Sequence, residues 1–179
     1  NYLKQYIGIK EGSDQQKAIL NVFNDSNLCE RYSMTTKDAW CATAVSAAFI
    51  ATGLSDIFPC VECSCANMVE KAKKAGVWVE LDSYEPEIGD VIMYDWQDSG
   101  KGDDTGHPDH VGIVVKVASN QITVIEGNKN DSVGYRTIKV DGKFIRGFIA
   151  PKYPADVEPA KETTSTPAST TTSSTPSKT

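Results

Sequence analysis

Thr36-Lys37-Asp38-Ala39-Trp40-Cys41-Ala42-Thr43-Ala44-Val45-Ser46-Ala47-Ala48-Phe49-Ile50-Ala51-Thr52-Gly53 reads as a short helix of small residues with one thiol in its opening turns. Ala44, Val45, Ala48, Phe49 and Thr52 recur at helical spacing, Thr36 or Asp38 can cap the start, and Gly53 suits the left-handed position after the last turn. Cys41 then sits near the positive end of the helix, where unpaired backbone N–H groups favour thiolate over thiol. Free cysteine is also among the most buried residue types, so this stretch alone leaves a small core residue and a nucleophile both open.

Outward from this helix the chain divides by periodicity. Ser13-Asp14-Gln15-Gln16 has the form of a capping box, and Ala18, Ile19, Val22 and Phe23 follow on one face, predicting an amphipathic helix over 14–24. Downstream, residues 54–63 look irregular around Pro59, and Ser64 opens a second amphipathic helix that Gly76 stops. The period then changes: Val77 to Leu81, Val91 to Trp96, His110 to Val117, Gln121 to Glu126, Gly134 to Val140 and Phe144 to Ala150 read as strands, with Asp141-Gly142 as a hairpin turn. Helices first and strands afterwards is an α+β layout, N-terminal helices packed on an antiparallel sheet of about five to six strands.

Residues 1–153 carry this pattern. In 154–179, 13 of 26 positions are Ser or Thr and four are Pro, with no aromatic residue, so this stretch cannot bury a core and is expected to be a flexible linker or tail. A linker of that kind predicts attachment to a separate binding module.

Composition excludes several functions. The chain has 179 residues and a net charge of −6, from 18 basic and 24 acidic groups, without a basic cluster beyond pairs such as Lys73-Lys74; nucleic acid and anionic membrane are poor partners. Membrane insertion is not expected, since no apolar run approaches the roughly 18 residues that span a bilayer. Besides Cys41 there are cysteines at 29, 60, 63 and 65. Two disulfides, free thiols or a four-thiolate zinc site are all compatible with that set.

The two histidines are His107 and His110, and His110 opens a strand, His110-Val111-Gly112-Ile113-Val114-Val115. A turn centred on Ser119 keeps the sum of opposed residue numbers near 238, placing His110 opposite Asn128 with Glu126 two positions away on the same face. Glu126-Gly127-Asn128 thus offers two groups able to orient an imidazole, and a helix-end thiol with an oriented rim histidine is the signature of an activated nucleophile. Trp40, Trp78, Tyr94 and Trp96 are core or groove residues, with Trp40 and Trp96 the two expected beside the cleft. His107 belongs to the Asp-rich stretch 103–109, which reads as a solvated loop or as a source of oxygen ligands.

Trp40-Cys41-Ala42 at a helix start, Gly89-Asp90-Val91-Ile92 leading into a strand, His110-Val111-Gly112-Ile113-Val114, and Glu126-Gly127-Asn128, in that order, resemble the CHAP domains (cysteine, histidine-dependent amidohydrolases/peptidases). NlpC-type wall peptidases share the Cys-then-His order but commonly carry a second histidine as third polar residue. The CHAP resemblance covers roughly residues 10–150. It implies a papain-like fold, Cys41 as nucleophile, His110 as base, and Glu126 and Asn128 as orienting or site-lining residues. Peptidoglycan is the implied partner, cut as an N-acetylmuramoyl-L-alanine amidase or as a stem or cross-bridge endopeptidase, of endolysin or autolysin type, by an extracellular monomer. No cofactor is expected to be required; calcium, carried by some members in a loop near the nucleophile, has Asn24-Asp25-Ser26-Asn27 as its nearest counterpart here. A secreted cysteine peptidase or toxin acting on protein, and a wall-binding module with vestigial catalytic residues, are the competing readings.

Overall fold

The computed structural model describes residues 2–81, 83–97, 106–140 and 143–154. A single 3-10 turn, Tyr2–Tyr6, precedes three helices, α1 (Asp14–Asp25), α2 (Cys41–Ala51) and α3 (Cys65–Ala75). Six strands follow: β1 (Trp78–Val79), β2 (Val91–Tyr94), β3 (His110–Ala118), β4 (Gln121–Glu126), β5 (Gly134–Lys139) and β6 (Ile145–Ile149). All neighbours in the sheet are antiparallel, in the order β1-β6-β2-β3-β4-β5. The fold is the α+β arrangement of helices on an antiparallel sheet that the residue pattern predicts, and it is consistent with the papain-like fold that the CHAP resemblance implies.

Local signals account for α1 and α3. Ser13 caps α1 by accepting from the Gln16 N–H, and the Gln16 side chain reaches back to the Gly12 N–H, one residue earlier than a standard capping box. Ser64 caps α3 through the Asn67 N–H, and Gly76, at φ 67°, closes it in the left-handed region.

The central helix differs from expectation at its start. Neither Thr36 nor Asp38 caps it: the Asp38 carboxylate accepts from the backbone and hydroxyl of Thr35 and from Tyr32, holding a preceding turn. Trp40 takes the cap position without a side-chain capping hydrogen bond, so Cys41 is the first helical residue. Every residue from Cys41 to Phe49 is buried, the condition of a helix that is apolar all round. It runs between α1 and the sheet.

Two apolar clusters lie on either side of the sheet. Val91, Met93, Val111, Ile113, Ile125 and Ile149 face the helices, whereas Ile92, Tyr94, Val114, Ile122, Val124 and Phe148 form the second layer. Alternation along each strand sets this division. Several strand bounds change: Val77 to Leu81 contracts to Trp78–Val79, which pairs with Phe148 and Ile149; β2 ends at Tyr94 instead of Trp96; β3 extends one residue to Ala118; β5 ends at Lys139 instead of Val140; and β6 spans Ile145–Ile149. Asp141-Gly142 and the tail from 155 onward lie outside the described residues. Tyr153, at the end of the described chain, donates to the Gly89 carbonyl at 2.8 Å.

Candidate active site

Cys41 owes its position to the open amino end of α2. No side chain caps that end, and the Ala42 N–H is directed at the Cys41 sulfur. Its thiol is held well below the ordinary range, chiefly by a hydrogen bond from the Cys65 thiol 3.8 Å away, then by the hydrogen bond and charge of His110, all against burial. The opposite shift falls on Cys65, pushed up by that same hydrogen bond to Cys41 and by burial.

His110 reaches the thiol from the first position of β3. Its Nε2 is 3.1 Å from Glu126 Oε2, which leaves Nδ1 for the sulfur. Burial pulls the His110 pKa down, but bonds and charge from Cys41 and Glu126 outweigh it and push the value up to about 9. The resting state is therefore a thiolate–imidazolium pair.

Glu126 is fully buried, yet ionised: burial raises its pKa, and His110 and Arg136 together bring it below the usual carboxylate value. Arg136 grips it from β5, Nε to Oε1 at 2.7 Å and Nη2 to Oε2 at 3.0 Å. The guanidinium also lies 4.8 Å over the Trp96 ring and 5.5 Å over Tyr94. Tyr94 and Trp96 stack at 4.7 Å, and both rings lie within 6 Å of the imidazole, at 5.7 and 5.9 Å. Aromatic rings, cation and imidazole thus form one stack on the sheet face away from the helices.

Two glycines make this arrangement possible. A Cβ on Gly112 would stand 2.8 Å from the Glu126 Cγ and 2.5 Å from Val124, so the bare backbone there leaves the space the carboxylate's stem occupies. A Cβ on Gly127 would come within 2.3 Å of the Ala44 methyl, because the chain leaving β4 lies flat on α2. That contact fixes the distance between thiol helix and histidine sheet.

The structure brings Cys41, His110, Glu126 and Trp96 together and redistributes the other candidates. Asn128, at φ 55°, follows Glu126 but makes no side-chain hydrogen bond among the described residues; the imidazole's partner is Glu126. Trp40 is corrected outright as a cleft residue: it is 0% exposed, packs under Gly127 and donates Nε1–H to Glu11, so it belongs to the core. His107 is exposed, and much of its Asp-rich loop, 98–105, lies outside the described residues.

The cysteines do not form one four-thiolate centre. Cys60 is buried alone and pushed up to about 12 by that burial, Cys65 faces Cys41, and Cys29 and Cys63 gather with Glu62 within 4.8 Å. All five are free thiols. In the calcium counterpart 24–27, both amide atoms of Asn24 are bonded to the Met34 backbone, Ser26 Oγ donates to the Phe23 carbonyl, and the Asn27 amide donates to the Asp25 carbonyl.

Sequence reasoning missed Arg136, Cys65 and the steric role of Gly112. Arg136 pairs across from Val124, two positions along from Glu126, but the seven-residue link from Gly127 to Val133 hides that register. Cys65 directly follows a capping serine, which is a legible sign of a helix-end thiol.

The family comparison agrees with this geometry: the CHAP domain family matches residues 31–128, more than half of the chain. The chain belongs to the CHAP family. CHAP domains are peptidoglycan amidohydrolases and peptidases, and the matched span contains Cys41, His110 and Glu126. Among solved structures, the chain is similar to one titled "The crystal structure of Ly7917", at 14% identity and a TM-score of 0.39, covering 62% of this chain and 53% of that one. The chain thus spans about half that relative's length, and at this TM-score the likeness carries no argument. No curated protein matches.

Proposed function

We propose that this CHAP domain hydrolyses an amide bond of peptidoglycan, with Cys41 as nucleophile, His110 as acid–base and Glu126 as the group that orients and charges the imidazole. The observation that carries this reading is the unbroken chain from the helix-end sulfur through His110 to a buried, ionised Glu126.

The Cys41 thiolate attacks the amide carbonyl, forming a C–S bond. The oxyanion is received by the Cys41 backbone N–H, which as the first N–H of α2 has no intrahelical acceptor. Imidazolium His110 then gives its proton to the leaving nitrogen, the C–N bond breaks, and a thioester remains. Neutral His110 next takes a proton from water, which hydrolyses the thioester and regenerates the thiolate. Glu126 stays ionised throughout, and Arg136 keeps it so. No step requires a metal or a cofactor.

Trp96, partly exposed and stacked beside His110, is the aromatic surface offered to substrate. No helix of the described residues is long and apolar enough to cross a membrane. CHAP membership supports action outside the cell at the wall, and we propose a monomer joined to a wall-binding module. Both the muramoyl–alanine bond and the peptide bonds of stem and cross-bridge meet the chemical requirement.

The test is release of soluble muropeptides from purified walls by wild type, Cys41→Ala and His110→Ala, with products identified by mass spectrometry. Wild type is expected to release fragments and both variants to lose activity by about 10⁴-fold or more. Undiminished release by either variant refutes the assignment.

A further inference from the structure

We infer that Cys65 is a resolving thiol for Cys41, so that a peroxide converts the pair into a reversible disulfide. The activity consequence rests on the proposed hydrolase function; the bond itself rests on the two sulfurs alone.

Their Sγ atoms are 3.8 Å apart, with no atom required between them. A disulfide needs roughly 2 Å, a difference that side-chain rotation of two helix-end residues can close. Each sulfur stands at the first position of its helix, Cys41 on α2 and Cys65 on α3 after its Ser64 cap, so two positive helix ends converge on one pair. No other cysteine competes: Cys60 is fully buried apart from them, and Cys29 and Cys63 cluster around Glu62.

In the first step the Cys41 thiolate attacks the peroxide. An S–O bond forms, the O–O bond breaks, and the departing hydroxide or alkoxide takes the imidazolium proton of His110, leaving a sulfenic acid on Cys41 and a neutral His110. Oxidation of Cys41 removes part of what suppresses ionisation of Cys65: its hydrogen bond to the Cys41 thiolate, the largest cause of the raised pKa, and the Cys41 charge are gone, while burial and the Asp109 charge remain. Its proton passes to His110, the Cys65 sulfur attacks the sulfenic sulfur, S–S forms, S–O breaks, and hydroxide leaves as water on regaining that proton. The two thiols lose two electrons, and the peroxide is reduced. A dithiol reverses the change by thiol–disulfide exchange.

The disulfide removes the nucleophile without destroying it. A lone Cys41 sulfenic acid would instead advance to the sulfinic acid, which dithiols do not reverse.

The experiment treats the full chain, as wild type, as Cys63→Ser and as Cys65→Ser, with hydrogen peroxide, then blocks free thiols and maps the chymotryptic peptides. Cleavage after Phe49 separates Cys41 from the peptide that carries Cys60, Cys63 and Cys65, and fragment-ion sequencing of the linked peptide, with Cys63→Ser to remove one candidate, places the link on Cys65 or on Cys60. Expected is a linked Cys41–Cys65 peptide, with wall-lytic activity lost on oxidation and regained on dithiothreitol. Cys65→Ser is expected to form no link, to accumulate sulfinic acid on Cys41, and to regain about tenfold less of its own starting activity. Sulfinic Cys41 without a link in the Cys63→Ser protein, or full recovery by Cys65→Ser, overturns the inference. If the link forms in a protein whose reduced state releases no wall fragments, the hydrolase reading fails and this inference stands.

Discussion

His110 Nε2 and Glu126 Oε2 are 3.1 Å apart, across two neighbouring strands, with the carboxylate fully buried. Burial alone would neutralise both groups; together, and with Arg136 on the carboxylate's other edge, both are charged. Glu126→Gln keeps the shape and removes the charge. His110 then loses one of the influences raising it, so the alkaline limb of kcat/KM, which marks His110 losing its proton near pH 9 in wild type, moves to lower pH. A fall in kcat/KM of about 10²-fold accompanies the shift. A pH–rate profile checks both, and an unmoved alkaline limb would remove Glu126 from the mechanism.

Cys41 and the other thiols separate by pH. Cys41 is lowered, first by the Cys65 hydrogen bond and then by His110, whereas burial raises Cys63 to about 11 and Cys60 to about 12. The depressed thiol keeps thiolate character to lower pH than the raised ones, which stay protonated and unreactive there. Iodoacetamide at about pH 5.5 is therefore expected to label Cys41 alone, by peptide mass mapping, and His110→Ala to slow that labelling. Equal labelling of Cys63 contradicts this ordering.

Gly112→Ala and Gly127→Ala test the close approaches. Neither glycine needs a positive φ, so the cost is steric: 2.8 Å to Glu126 Cγ in one case, 2.3 Å to Ala44 Cβ in the other. Each is expected to destabilise by roughly 1–3 kcal/mol in urea unfolding. Gly112→Ala is expected to lower kcat more than Gly127→Ala does at equal stability, because the displaced atom belongs to the histidine's partner. Ala44→Gly should restore part of the stability of Gly127→Ala and none of that of Gly112→Ala.

The two tryptophans flanking the site are expected to fail differently. Trp40 is 0% exposed under the helix start, and Trp40→Ala should cost about 3–5 kcal/mol of stability, read from the denaturant midpoint. Trp96 stacks between Arg136, Phe144 and the Tyr94–His110 pair while remaining partly exposed. Trp96→Ala should chiefly raise KM and lower kcat/KM, in steady-state assays on wall fragments. Unchanged kinetics would make Trp96 a packing residue only.

Much of the fold was legible because the signals were local. Ser13, Ser64 and Gly76 act on their own helices, and β-branched runs mark β2, β3 and β4. The histidine's placement was legible for a subtler reason. Opposed residues near the Ser119 turn sum to 239, as in Ala118 with Gln121, and a bulge between Val114 and Lys116 lowers the sum to 238 before Ile113. The rim therefore has the register expected of it, although Glu126, the nearer group in space, is the residue that bonds. What stayed hidden depended on chain segments far apart in order. The insertion of β6 between β1 and β2, the burial of Trp40 beneath Gly127 and the reach of Arg136 to Glu126 have no local signature.

By itself the sequence determined the class of layers, the helix that carries the thiol and the strand that begins with the histidine, since caps, periodicity and turn residues act over a few positions. Only the tertiary structure decided that Cys65 would meet Cys41 and that Arg136 would keep a buried Glu126 charged. Those outcomes depend on close packing of distant surfaces and on low-dielectric electrostatics, which exist only once the chain has folded.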